Sequence, residues 1–133
     1  MNNIYCLEKE MIDLAHQALR CNHWTIHPPE ASRQYPKRNQ RGMLWVRERQ
    51  PWGDWLPDFG DDATRGCLLA LVAKAYGVTL DDVHVVRTTG KVWSVWIFRA
   101  NDSSYRVATH ESSRAEALVA ALEAAEHAES KKK

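Results

Sequence analysis

The strongest constraint on the fold is the short link between two β-rich segments in the second half of the chain. Val83–Arg87 and Val92–Arg99 both favour strands, and only residues 88–91 separate them. Four residues can close a hairpin but cannot form a crossover connection, so the two strands must be antiparallel neighbours. A third segment, Tyr105–Thr109, follows a turn at 101–104 and extends the pair into a three-stranded meander.

Three segments have apolar residues at the spacing of a helix with one buried face. The first runs from Leu7 to about Arg20. The second begins at an Asp61 or Asp62 cap and ends before Gly77, which suits a left-handed C-terminal cap. The third begins at a Ser113 capping box with Glu116 and continues through an Ala and Leu stripe. The sequence therefore predicts three helices.

Two further strands are predicted in the first half, at residues 23–27 and 43–49. The order becomes α-β-β-α-β-β-β-α, which predicts a single α+β domain over residues 1–133. We expect one antiparallel sheet of about five strands covered by three helices, with Val92–Arg99 a central strand packed on both faces. Residues 30–60 have many turn formers and predict an elaborated loop region.

Composition limits the classes of partner and compartment. Eighteen Lys and Arg residues against seventeen Asp and Glu give a net charge of +1, so no uniform field attracts nucleic acid or anionic lipid. No segment has the roughly 20 apolar residues of a membrane span, and Met1–Glu10 lacks the pattern of a signal peptide. Three cysteines, an odd number, favour reduced thiols. We expect a cytoplasmic protein with no membrane partner.

The candidate binding site is a segment that contains tryptophans and in which the sign of the charge reverses. Residues 33–49 contain six Lys and Arg residues and one Glu, whereas residues 50–62 contain four Asp. Trp and Arg are enriched at interface hot spots, so this segment predicts a surface for a protein partner. The alternative is that the rings close the core and the charges solvate a loop. The candidate partner-binding residues are Arg38, Arg41, Arg47, Arg49, Trp52, Asp54, Trp55 and Asp58.

Nucleic-acid binding through the same Arg and Trp residues is the second hypothesis. Cations can follow phosphates while rings stack on bases, but the neighbouring aspartates would repel a polyanion. A metal site at Cys21, His23 and His27, with Cys6 as a fourth ligand, matches no common spacing. Asp61 and Asp62 could hold a metal for a hydrolase but are better explained as helix caps. No catalytic motif is present, so we expect neither an enzyme nor a cofactor.

Two resemblances accompany these patterns. The order of the second half is similar to that of a double-stranded-RNA-binding domain, but the Ser113 helix start lacks that family's clustered lysines. Most of the chain resembles the small phage proteins of the ABA-sandwich type. The segments that carry this second resemblance are the first helix with Trp24, the helix Ala63–Tyr76, the strands Val92–Phe98 and Tyr105–Thr109, and the helix Ala115–Leu122.

The phage resemblance implies a mobile-element origin and action in the cytoplasm of a bacterial host. Small phage accessory proteins often bind and block host machinery, so it implies an inhibitor of a host protein or ribonucleoprotein complex. A nucleic-acid-directed defence nuclease is one such complex, which would make the protein anti-CRISPR-like. Exposed strand edges leave open the pairing of two copies into a homodimer.

Overall fold

The computed structural model describes residues 9–29, 36–47, 54–87, 92–98, 104–111 and 113–131. This part of the chain forms three helices and two antiparallel three-stranded sheets. In chain order the elements are α1 (Lys9–Leu19), β1 (Lys37–Arg38), β2 (Leu44–Arg47), β3 (Trp55–Pro57), α2 (Asp62–Tyr76), β4 (Val83–Arg87), β5 (Trp93–Phe98), β6 (Ser104–Glu111) and α3 (Arg114–Lys131), with a short 3-10 helix at Leu80–Asp82 before β4.

All three predicted helices are present, and the predicted caps form at both ends of α2 and at the start of α3. The Asp61 carboxylate accepts a hydrogen bond from the Thr64 amide at 3.0 Å and begins α2. Gly77 ends α2 with a φ of 69°, a left-handed conformation that favours glycine. At the start of α3, the Ser113 hydroxyl accepts from the Glu116 amide at 3.1 Å.

The meander β4-β5-β6 is confirmed, but helices cover only one of its faces. The register places Val83 opposite Ile97 and Val85 opposite Val95. Ile97 and Val95 are fully buried, and α3 packs against their strand. Phe98, on the opposite face of β5, is 39% exposed. The prediction of a strand packed on both faces is therefore wrong, because the chain has no layer of helices for the second face within its described part.

The prediction of one sheet of about five strands is also wrong. Among the strands that the structure describes, β1, β2 and β3 pair only with one another, with Trp45 opposite both Lys37 and Pro57. Both β1 and β3 lie within the region predicted as a loop. Pro57 is tolerated because β3 is an edge strand, where a missing N–H donor leaves no ladder bond unmade.

Residues 23–27 form no strand, contrary to the prediction. Side chains provide the partners that a neighbouring strand would otherwise supply. The Trp24 indole donates to the Ile26 carbonyl at 2.7 Å, and the Asn39 amide donates to the His27 carbonyl at 2.8 Å. This segment therefore lies as irregular chain beside the residues that follow β1.

The buried side chains form one hydrophobic cluster to which both sheets contribute. Trp45 and Leu56 come from the first sheet, Val95 and Ile97 from the second, and Leu118 from α3. The first sheet, β1-β2-β3, is thus fixed to the rest of the core through its inward side chains. Among the described helices, none is long and apolar enough to cross a membrane.

Candidate binding site

The described tryptophans of residues 33–62 do not all lie at the surface. Trp45 is 1% exposed and packs edge to face with Trp24, with ring centroids 6.2 Å apart. Trp55 is half-buried against the core, and the guanidinium carbon of Arg47 lies 4.5 Å from its ring centre. The alternative that the rings close the core therefore describes Trp45, whereas Trp55 presents one side to a cation.

Arg38 forms an intramolecular ion pair. Its guanidinium donates to both carboxylate oxygens of Asp61, each at 2.8 Å, and to the Gly42 carbonyl at 2.8 Å. The Arg38 hydrogen bond is the main reason why the pKa of Asp61 lies well below its ordinary value, with the Thr64 hydrogen bonds adding to the effect. Part of the charge reversal seen in the sequence is therefore neutralised between β1 and the start of α2.

The aspartates of the candidate site divide into buried and exposed residues. Asp58 is 4% exposed and accepts a hydrogen bond from the Gly60 amide at 2.9 Å. Burial raises the pKa of the Asp58 carboxyl. Asp58 therefore stabilises the turn before α2. It is buried and does not form part of the predicted binding surface. Asp54 is exposed, as the prediction requires. The predicted site residues Arg49 and Trp52 lie outside the described residues.

An open groove of about 660 Å³ lies between two segments that the sequence did not bring together. Residues 25–29 form one wall, and residues 37–41 form the other. The hydrogen bond from Asn39 to the His27 carbonyl joins the walls. The Asn39 side-chain oxygen also accepts from the Arg41 and Met43 amides, both at 3.0 Å, which fixes the turn after β1. The lining residues are Thr25, Ile26, His27, Pro28, Pro29, Lys37, Arg38, Asn39, Gln40 and Arg41.

The groove is cationic. Lys37, Arg38 and Arg41 line it together with His27, and no described lining residue carries a carboxylate. Because Arg38 is neutralised by Asp61, the positive charge comes mainly from Lys37 and the exposed Arg41. Two of the predicted partner-binding residues, Arg38 and Arg41, therefore meet here. Sequence reasoning missed His27 and Pro28-Pro29 as their neighbours, since only the long-range Asn39 contact places them together.

The potential metal ligands near the groove do not converge. The Cys21 thiol is buried and donates to the Gln17 carbonyl at 3.7 Å. Burial, followed by the charges of Glu123 and Glu126, raises the pKa of Cys21 to about 11, which favours the protonated thiol over the thiolate that binds metals. Across the described ranges, no three His, Cys, Asp or Glu side chains are grouped to hold a metal. Cys6 lies outside those ranges.

No protein-family model, no curated protein and no solved structure matches this chain.

Proposed function

We propose that the chain is a non-enzymatic binding protein that captures an acidic segment of a protein partner in the groove between residues 25–29 and 37–41. The observation that carries the proposal is the lining of this groove, which has Lys37, Arg41, the ion-paired Arg38 and His27 but no carboxylate among its described members. A patch of one sign inside a nearly neutral molecule suits a short acidic segment, because complementary local potentials guide and select such a partner.

The groove is held in shape before any partner arrives. Arg38 ties β1 to the first turn of α2, and Asn39 ties the following turn to His27. On the opposite wall, Pro28-Pro29 restricts the backbone to extended conformations. A preformed site loses less conformational entropy on binding, so more of the contact energy contributes to affinity.

A protein segment is favoured over nucleic acid at this groove. The cations lie on β1 and the turn that follows it, and Asp61 already neutralises Arg38. A long polyanion held through its phosphates would need basic residues along several elements, which this one segment does not provide. Nucleic acid is therefore the second candidate here, as it was from the sequence.

The resemblance to small phage proteins supports a specific setting for this binding. In that setting the protein acts in the cytoplasm of a bacterial host and docks on a protein or ribonucleoprotein complex, such as a defence nuclease. Docking would inhibit the complex by occupying a surface that it needs. This part of the proposal rests on the likeness of the core segments and on no contact in the groove.

Reversing the two groove charges tests the binding site. A panel of fluorescein-labelled acidic decapeptides would be titrated with the protein and followed by fluorescence anisotropy. The double variant Lys37→Glu with Arg41→Glu should bind about tenfold or more weakly to those peptides that bind the wild-type protein, since each reversal replaces attraction by repulsion. The matched control is Arg20→Glu with Lys74→Glu, which changes two exposed cations away from the groove by the same total charge.

The control distinguishes a local site from a net-charge effect. Equal losses in both double variants would show that the peptides respond to total charge, which would reject the groove. Failure of every acidic peptide to bind the folded wild-type protein would also reject it. Equivalent binding of lysine-rich decapeptides of the same length would contradict the charge complementarity on which the proposal stands.

A further inference from the structure

The outer face of the sheet β4-β5-β6 carries a row of aromatic and basic side chains. His84 on β4 pairs with Trp96 on β5, which in turn pairs with Arg106 on β6. Phe98 lies two residues further along β5 on the same face. Its ring contacts His84 edge to face, with ring centroids 4.4 Å apart. Three neighbouring strands thus bring three rings and a guanidinium to one surface.

This face is more exposed than the opposite one, although Ser94 on it is buried. On the inward face, α3 packs against β5, and Val95 and Ile97 are fully buried. On the outer face, Phe98 is 39% and Val86 is 43% exposed, and Trp96 is half-buried. Large apolar side chains in this arrangement leave an apolar surface in water, which commonly marks an interaction site.

The charge on the outer face has one sign. His84 and Arg106 are its ionisable groups among the side chains that the structure describes, and Arg106 lies 5.8 Å from the centre of the Trp96 ring. A partner that fits must present flat apolar surfaces together with negative charge. Unpaired bases supply the flat surfaces, and the phosphates that link them supply the charge.

We propose that this face binds a single-stranded nucleic acid. Bases stack on Phe98 and Trp96, and Arg106 contacts a backbone phosphate. A duplex does not suit this face, because its bases are already stacked on one another and cannot lie on the rings. The surface is separate from the cationic groove, so this inference goes beyond the proposed function and does not depend on it.

The composition of this face predicts that the affinity for a single strand depends only weakly on salt. Binding through clustered cations weakens steeply with salt, with a log-log slope of about −0.7 for each neutralised phosphate of a single strand. With Arg106 as the described arginine of this face, we expect a slope of about −0.7. Stacking therefore supplies most of the affinity, and loss of a ring should matter more than loss of the cation.

The test uses a fluorescein-labelled oligothymidylate of about twelve nucleotides, which spans a typical single-strand site and forms no stable secondary structure. Fluorescence anisotropy at low salt should show binding to the wild-type protein. Phe98→Ala should weaken it by about tenfold, and Arg106→Gln should weaken it less and flatten the salt slope. Leu80→Ala is the matched control, because Leu80 is 51% exposed but lies in the 3-10 helix before β4.

Each contrary outcome overturns the proposal. One is an unchanged anisotropy with the folded wild-type protein, and another is equal affinity of the Phe98→Ala and wild-type proteins. A dimer in sedimentation velocity that disappears with Phe98→Ala would show that a second copy occupies the face instead. The Lys37→Glu, Arg41→Glu double variant should retain oligonucleotide binding, and Phe98→Ala should retain peptide binding, so either site can fail alone.

Discussion

Arg38 and Asp61 form a bidentate ion pair that joins the first sheet to the start of α2. The two terminal nitrogens of the guanidinium, Nη1 and Nη2, donate to separate carboxylate oxygens, each at 2.8 Å, although 23 positions separate the two residues. The same carboxylate caps the helix by accepting from the Thr64 amide and hydroxyl, at 3.0 and 2.9 Å. One side chain thus stabilises a helix end and fixes the strand that lines the cationic groove.

This double role predicts a graded loss of stability at position 61. Asp61→Ala removes the cap and the ion pair, so the free energy of unfolding should fall by about 2 kcal/mol. Asp61→Asn keeps a capping oxygen but loses the charge, and it should cost about half as much. Urea denaturation followed by circular dichroism measures both variants. Equal losses in the two would show that the cap contributes nothing.

The Asp61 carboxylate also predicts how stability depends on pH. Its pKa is lowered in the folded protein, chiefly by Arg38, so its stabilising effect is present above the unfolded pKa of about 3.9. The effect is lost as pH falls through the lower folded pKa. The difference in unfolding free energy between wild type and Asp61→Asn should therefore be constant from about pH 7 to 5 and shrink below about pH 4.

Asp58 predicts a pH dependence of the opposite sign and serves as an internal comparison. Burial raises the pKa of this carboxyl in the folded protein, so folding favours its protonated form. Wild-type stability should therefore rise relative to that of Asp58→Asn as pH falls through the raised pKa. Urea denaturation at a series of pH values measures this trend. A trend that matches Asp61 in sign would contradict the burial of Asp58.

The two described tryptophans of the first sheet should respond differently to truncation. Trp45→Ala would leave a large cavity beside Trp24 and should lower the free energy of unfolding by about 3 to 5 kcal/mol. Trp55→Ala removes a half-buried ring and its contact with Arg47, so about 1 to 2 kcal/mol is expected. Urea denaturation of both variants would show whether Trp45 alone belongs to the core.

The helix caps could be predicted from sequence because the interactions that define them are local. Asp61 bonds to an amide three residues away, and Ser113 does the same at α3. The conformation of Gly77 depends only on its own backbone and the preceding turn. Such signals are contained within a few consecutive residues, which is why the structure confirms all three.

Strand pairing in the first half could not be predicted in the same way. Leu56 lies between residues that favour turns, yet its strand is formed by pairing with Val46 across a separation of ten residues. Residues 23–27 alternate as a strand should, yet their carbonyls find side-chain donors instead. Pairing with Val46 in the first case and the contact of Asn39 with His27 in the second decided the structure, and local propensity did not.

The same contrast between local signals and contacts of distant residues applies to the candidate site. Its composition indicated a charged, aromatic surface, and Arg41 and Asp54 are exposed as predicted. The sequence could not show that Asp61 would neutralise Arg38 or that Trp45 and Asp58 would be buried. The groove itself depends on Asn39 reaching His27 over twelve positions, for which no local pattern exists.

Two glycines of the α2 region predict opposite effects of the same substitution. Gly77 has a φ of +69°, and an added Cβ would meet no atom within 4 Å, so the cost of Gly77→Ala is that of the left-handed backbone, about 1 kcal/mol. Gly66 lies on the exposed side of α2 with equally open space, so Gly66→Ala should stabilise by about 0.5 to 1 kcal/mol through reduced backbone entropy in the unfolded chain. Thermal or urea denaturation of the two variants provides the measurement, and each serves as the control for the other. Shifts of the same sign would contradict either the helical position of Gly66 or the left-handed cap at Gly77.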